Sequence, residues 1–339
     1  MAIAQVRDVA KRAGVSPATV SNALNHPEKV SPLTRERVRT AIDELGYVRN
    51  DAARQLRQRG NRAVGMILLD VGNPFFAGVA RGAELDLAEN NRPLLLGNSA
   101  QQEPQELKYL SLFEEQRVAG ILVTPVGNIL SKLRRIKQRG TAVVIVDRKA
   151  GAKEFSSVSA NDHHGGRAAA EHLVSLGRRH IAVVGGPASI RQVADRLAGA
   201  RSIRDERDGV TVEYVGTGGM DAEAGRVAAR EFLARPPESR PDAVFAANDL
   251  VALGVLQELV RAGMAVPEDM ALIGYDDIEF AGSATVPISS ISQPAEEMGR
   301  SAARLLLSAL ERPDAPVQHP VFTPELVARQ STLGLSDSA

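Results

Sequence analysis

A chain of 339 residues, 44% hydrophobic and 24% charged, is long enough for two or three domains with cores of their own and lacks the composition of a disordered protein. Cysteine is absent, which excludes a disulfide framework or a thiolate metal site and fits a reducing compartment. There is no secretory signal at the start and no run of about 18 apolar residues, so a cytoplasmic protein with no membrane partner is expected. The net charge is zero, yet residues 1–62 hold twelve bases against six acids. A basic head on an acidic body is a footprint for a polyanion, with a merely solvated basic surface as the alternative.

In the head, Val6, Val9, Ala10 and Ala13 fall on one helical face, and Gly14 can take the left-handed conformation that stops a helix. Ser16 is a good N-cap and Pro17 suits the first helical position, so a second helix follows after a short turn and runs through Thr19, Val20, Ala23 and Leu24. A third is expected from Pro32 to Leu45, capped by Ser31 and stopped by Gly46, with Val38, Ala41, Ile42 and Leu45 as its buried stripe. The first pair has the spacing of a helix-turn-helix, whose second helix lies in the major groove. Ser16, Thr19, Ser21 and Asn25 suit phosphates, while Pro17, Ala18 and Asn22 suit base edges. A hairpin used for protein contacts is the alternative. Next, "NDAARQLRQRG" (50–60) can form a helix of about two turns, too short to be stable without partners. It is expected to order only with DNA and a second subunit, or else to be a charged linker.

From Val64 onward, apolar runs ("AVGMILLD", "RPLLLGN", "AGILVTP", "AVVIVDR", "HIAVVGG", "TVEYVG", "DAVFAAND", "MALIGYDD") alternate with helical stretches at 104–116, 164–176 and 249–262. This is an α/β pattern with parallel sheets, and about 270 residues of it imply two lobes. Ligands in such folds bind beyond the carboxyl ends of strands. The polar residues there are Asn73, Phe75, Phe76, Asn98, Asp147, Arg148, Asn248, Asp249, Asp276, Asp277 and Gln293, with Arg196 in "ADRLAG". Carboxylates, amides and guanidinium groups beside aromatic rings suit a hydroxyl-rich sugar, although Asp and Asn also cap helices at such places. "GTGGMDAEAG" lacks the lysine and hydroxyl residue of a nucleotide loop, and His163 and His164 lack metal-ligand spacing. No catalytic constellation, metal or cofactor is expected.

"VRDVAKRAGVSPATVSNALN" and "VSPLTRERVRTAIDELGYVRNDAARQLR" resemble, almost residue for residue, the DNA-binding head of LacI-type bacterial transcriptional regulators. Many relatives carry an arginine where this chain has Asn22; asparagine pairs with adenine, so an altered base preference is expected there. The resemblance implies a head at 1–48 and a hinge helix at 49–61 that meets its symmetry mate in the minor groove. Ala52 and Ala53 would permit close approach, and Leu56 would be the wedge that kinks the duplex. It further implies a two-lobed body similar to a periplasmic sugar-binding protein: amino lobe 62–160 plus 292–323, carboxyl lobe 161–291 plus 324–339. Asn73, Phe75, Phe76, Asp147, Arg148, Arg196, Asn248, Asp276 and Gln293 match the ligand-contacting motifs of ribose-binding receptors, which implies a monosaccharide such as a pentose. The segment after Arg196 is short and lacks the third aromatic ring those receptors often add. The expected protein is therefore a homodimeric repressor of a pseudo-palindromic double-stranded DNA operator, with a small effector in the interlobe cleft. A nucleoside or purine corepressor, or a sugar receptor without DNA regulation, are the alternatives. No heptad tail follows Leu335, which favours a dimer over a tetramer.

Overall fold

A computed structural model describes residues 4–47, 61–151 and 153–334; the hinge residues Ala53 and Leu56 lie outside them. The chain divides into two compact units, Met1–Gly60 and Asn61–Ala339.

In the first unit, α1 (Val6–Ala13) ends at Gly14, whose φ of 64° is left-handed. Helix α2 (Pro17–Asn25) starts where the Ser16 side chain accepts from the Thr19 N–H at 3.0 Å, and α3 (Pro32–Leu45) starts in the same way at Ser31. Val9, Ala10, Ala13, Val20, Val38 and Ala41 make one small core. Arg37 ties α3 to the turn by donating to the carbonyl of Ala13 at 2.5 Å. The buried stripe of α3 is shorter than its sequence suggests: Leu45 is 36% exposed. It occupies the last helical position.

The second unit holds two sheets built on one plan. The first comprises β1 (Val64–Leu68), β2 (Leu94–Asn98), β3 (Gly120–Val123), β4 (Ala142–Val146), β5 (Ser156–Ala160) and β11 (Val321–Phe322), in the order β11-β5-β4-β3-β1-β2. The second comprises β6 (His180–Gly185), β7 (Thr211–Gly216), β8 (Ala243–Ala246), β9 (Ala271–Asp276), β10 (Ser289–Ser292) and β12 (Glu325–Val327), in the order β12-β10-β9-β8-β6-β7. All pairings are parallel except β10 with β12. All eight apolar runs in the sequence became strands; those in the middle of the sheets, such as β1, β3, β8 and β9, are buried on both faces, which is why they read as unbroken apolar runs, while the edge strands β2 and β7 are partly exposed. The chain passes between the sheets after β5, after β10 and between β11 and β12.

Helices α4 (Pro74–Glu89), α5 (Glu103–Glu115) and α6 (Leu130–Gln138) follow strands of the first sheet. Helices α7 (Asp162–Ser175), α8 (Arg191–Ser202), α9 (Ala222–Ala234), α10 (Asp249–Arg261) and the short α11 (Glu279–Ser283) belong to the second. Helix α12 (Ala295–Glu311) crosses back to pack on α4, and α13 (Gln330–Leu333) closes the described chain. Three helix pairs meet main chain to main chain; in one, α9 with α10, a Cβ on Gly225 would lie 2.1 Å from the carbonyl oxygen of Val251 and one on Gly254 1.9 Å from that of Ala222. A Cβ on Gly82 of α4 would lie 1.9 Å from the carbonyl oxygen of Glu296, and one on Gly299 of α12 would lie 2.0 Å from that of Val79. Gly166 of α7 stands likewise to Arg196 (2.0 Å), and Gly199 of α8 to His163 (1.9 Å). Any side chain there would push the helices apart. Among the described residues, no helix is long and apolar enough to cross a membrane.

Candidate functional site

The first candidate site is the outer face of α2. Ser16, Pro17, Ala18, Asn22 and Asn25 are exposed, and Thr19 and Ser21 are half-buried. Some of the hydroxyls are held locally: Ser16 Oγ lies 2.8 Å from Thr19 Oγ1, and Asn25 Nδ2 donates to the Ser21 carbonyl at 2.9 Å. Only Val20 of α2 is fully buried. Ala23 and Leu24 also pack, partly buried, against the head's core, and the opposite face, with Pro17, Ala18, Asn22 and Asn25, is turned outward.

The second candidate lies in the cleft between the sheets, where strand order reverses at β1 and at β6 and the loops beyond the strand ends diverge. Its centre is Arg196, 3% exposed on α8. Its Nε donates to Asp162 Oδ1 at 2.8 Å, its Nη1 donates to the Ala247 carbonyl at 2.5 Å, and Asp276 Oδ1 lies 3.8 Å away. The guanidinium covers the Tyr275 ring at 3.5 Å, so its charge is met on one face by π density and at its edge by carboxylates. The contact of Gly166 with the Arg196 carbonyl brings α7 and α8 close enough for Asp162, at the head of α7, to reach it.

Two sets of bonds cross from one sheet to the other. Asn73 caps α4 by accepting from the Phe75 N–H, and its Nδ2 donates to Asp276 Oδ2 at 2.8 Å. Gln192, one helical turn before Arg196, donates to Asp147 Oδ2 at 2.8 Å and to the Asp147 carbonyl at 2.6 Å. Gln293, on the crossover after β10, donates to Asp276 Oδ1 at 2.8 Å. Asp276 thus gathers amides from both sides. In and beside the cluster, Asp147 Oδ1, Gln293 Oε1, Asp277 Oδ1 and the Tyr275 hydroxyl are buried without a hydrogen-bond partner. A cavity of about 680 Å³ opens beside Asp147, with Arg148, Asn161, Asp162, Gln192 and Asp195 also in its wall; Gln293, Arg196 and Asp276 do not line it.

Burial sets the electrostatics. It pushes Asp147 up to about 8, reinforced by the charge of Asp162 and opposed by Arg196. Asp276 is pushed up to about 6 by burial, against the pull of Arg196, Asn73 and Gln293. Asp162 is raised by burial, against the same guanidinium. Burial also works against the charge of Arg196, but Asp162, Asp276 and Asp147 hold its pKa above the usual value. The cluster therefore carries more carboxylate than cation and tends to keep protons on its acids.

The structure brings together Asn73, Asp147, Arg196, Asp276 and Gln293, with Arg148 half-buried in the adjoining cavity wall. Phe75 and Phe76 lie edge to face at 5.1 Å within the first sheet's core. Asn248 caps α10 and donates to the Met220 carbonyl. Asn98 is spent on its own loop, where Oδ1 accepts from the N–H groups of Val71 and Ala100, and it makes no hydrogen bond to the cluster. Sequence reasoning did not select Asp162, Gln192 or Tyr275. Gln192 had a signal: it sits four residues before Arg196, on the same helical face. The "GTGGMDAEAG" loop is closed by its own cap, Asp221 accepting from the Ala224 N–H. Among the described residues, no group of three His, Cys, Asp or Glu side chains is placed to hold a metal ion.

A helix-turn-helix unit joined to a two-sheet body with a polar cleft defines a class of ligand-responsive DNA-binding regulators. Residues 5–50 match the family described as bacterial regulatory proteins, lacI family, and residues 170–332 match the periplasmic binding protein-like domain. The chain is 37% identical over 310 residues to the ribose operon repressor of Bacillus subtilis, covering 91% of this chain and 93% of that one. A LacI family regulator from Enterococcus faecium, solved with bound ribose, is similar at 28% identity and a TM-score of 0.73, over 81% of this chain and all of that one. The Lac repressor dimer bound to operator and an anti-inducer is similar at 25% identity and a TM-score of 0.79, over 98% of this chain and all of that one. The chain belongs to the lacI family of bacterial regulatory proteins and is a DNA-binding repressor.

Proposed function

We propose that this repressor binds a pseudo-palindromic operator as a homodimer and is controlled by a monosaccharide, a pentose of the ribose type, held in the interlobe cleft. The observation that carries the sugar reading is the pair of buried, unpartnered acceptors, Asp147 Oδ1 and Gln293 Oε1, beside Arg196. A buried acceptor without a partner costs about 1–3 kcal/mol, and a ligand rich in hydroxyl donors removes that cost. Vicinal hydroxyls would donate to Asp147 and Asp276 and accept from Arg196, replacing the amide bonds of Asn73 and Gln192 that now span the cleft. The ribose named in two of the relatives has this chemistry.

The homodimer is supported by an apolar edge on the first sheet. Strand β2 has a free edge, and its Leu95 and Leu96 are 40% and 52% exposed. Exposed leucines on an edge strand call for a cover. The base-facing residues would be Pro17, Ala18 and Asn22, with Ser16, Thr19, Ser21 and Asn25 on phosphates; Ala53 and Leu56 belong to the hinge part of this proposal. Effector binding would change the relative position of the lobes and so release DNA, through a coupling free energy between the two sites.

The test is thermal unfolding of the full chain with D-ribose, ribose 5-phosphate, nucleosides and purine bases. A ligand at 100 times its dissociation constant stabilises the fold by about 2.7 kcal/mol. Stabilisation by ribose that is lost in Arg196→Met, together with release of a selected operator, supports the reading. Stabilisation by a purine base alone, or tightening of DNA binding by ribose, overturns it.

A further inference from the structure

Asp276 and the residue after it adopt backbone angles that side chains resist. Their φ values are +97° and +55°, in the left-handed region, and such residues persist only where their surroundings hold them. Three groups hold this turn. The Asp277 N–H donates to Ser290 Oγ at 3.0 Å, and Ser290 Oγ donates to Asp249 Oδ1 at 2.7 Å. Asp249 Oδ2 accepts from the Ile278 N–H at 2.8 Å. The Asp277 carboxylate itself forms an ion pair with Arg329, Oδ1 to Nη1 at 2.7 Å, by proximity of charge and without hydrogen-bond geometry.

Arg329 is remote in sequence, beyond the last passage between the sheets. It is also firmly placed. The Nη1 that meets Asp277 also donates to the Ile288 carbonyl at 2.9 Å. Its backbone N–H donates to Ser289 Oγ at 2.7 Å, and that hydroxyl lies 2.6 Å from Thr332 Oγ1. The side chain of Ser331 reaches the Leu272 carbonyl of β9. The closing segment is thus pinned to β9 and β10, and Arg329 extends from it under the Asp276–Asp277 turn.

We infer that Arg329 is a positioning residue for the effector site: its ion pair with Asp277 holds the turn that aims Asp276 at Asn73, Gln293 and Arg196. The inference rests on the cleft being the effector site. Arg329 touches no ligand; it acts through the backbone of its ion-pair partner. Loss of the pair lets the turn relax toward ordinary angles and swings the Asp276 carboxylate away from the amide of Asn73 in the other lobe.

The experiment uses the full chain and four variants: Arg329→Met, Arg329→Lys, Asp277→Asn and the Arg329→Met/Asp277→Asn double. D-ribose binding is measured by calorimetry, and amide exchange of residues 73–79 is measured without ligand. Misplacing a binding group by a fraction of an ångström costs on the order of tenfold in affinity. Arg329→Met and Asp277→Asn should each weaken ribose binding by about that factor, and the double variant should be no weaker than either. Arg329→Lys, which keeps the charge, should recover most of the loss. Exchange at 73–79 should rise in Arg329→Met while exchange at 243–246, in the core strand β8, stays as in the parent. Unchanged affinity in Arg329→Met, or additive losses in the double variant, overturns the inference. If the parent chain itself binds no ribose, the sugar reading has failed, and the exchange arm decides alone: no rise at 73–79 in Arg329→Met overturns the positioning role.

Discussion

Replacing Arg196 by methionine leaves the stem of the side chain and removes the buried cation that faces Asp147, Asp162 and Asp276. Three attachments go with it: the 2.8 Å pair with Asp162, the 2.5 Å bond to the Ala247 carbonyl, and the 3.5 Å stacking on Tyr275. Breaking a buried ion pair from one side costs about 3–5 kcal/mol. The cost has a pH dependence that follows from the neighbours. At pH 8 the carboxylates that lean on Arg196 must stay charged without it or take up protons, at about 1.4 kcal/mol per unit of pKa. At pH 5 Asp147 and Asp276, pushed up to about 8 and about 6, are already protonated, and mainly hydrogen bonds worth about 1 kcal/mol each are lost. For a body of this size 1 kcal/mol moves the melting temperature by roughly 2–4 °C. Arg196→Met should therefore lower it by about 10 °C at pH 8 and by about a third of that at pH 5. Differential scanning calorimetry at both values and fixed ionic strength measures this. An equal loss at the two pH values, or less than about 1 kcal/mol at pH 8, refutes the electrostatic account of the cluster.

The parent protein without effector should lose stability as pH rises from about 4 to 8. Its folded state keeps protons on Asp147, Asp276 and the fully buried Glu106, pushed up to about 7 by burial, that the unfolded chain has already released. In Asp147→Asn, whose amide oxygen can still accept from Gln192, the slope of melting temperature against pH should flatten between 6 and 8; an unchanged slope counts against a raised pKa at this residue. Gly82→Ala should destabilise the body by about 1–3 kcal/mol or more, because its Cβ would lie 1.9 Å from the Glu296 carbonyl. A urea midpoint equal to the parent's would show that α4 and α12 do not meet this closely. Asn22→Arg should shift the base preferred at one operator position toward guanine in a binding-site selection; the same preferred base in both proteins would remove Asn22 from the base contacts.

Apolar strands were legible because burial on both faces leaves an unbroken run, as in "AVVIVDR". Strands β5 and β10 were not, because "SSVSA" and "SSIS" are mostly serine. Their burial depends on partners far along the chain: Ser157 Oγ lies 2.9 Å from His319 Nδ1, and Ser289 accepts from Arg329. No local pattern announces a serine that a residue 40 or 162 positions away will satisfy. The cleft was half legible for a similar reason. Asn73, Asp147, Asp276 and Gln293 stand directly after apolar runs or on a crossover, so strand ends pointed to them. Asp162 sits in "NDHHGG", where the histidines draw attention, and only the close approach of α7 and α8 sets it against Arg196.

That close approach has an evolutionary side. Helices that touch through the backbone at Gly166 and Gly199, and again at Gly82 and Gly299, are spaced by atoms common to every amino acid, so their separation does not depend on the residues chosen nearby. Side chains that face the cleft, such as Gln192 on α8 or Asn73 at the head of α4, can be exchanged without moving the frame that carries them. A lineage built on such a frame is free to change the lining of its cleft while keeping the packing of its helices.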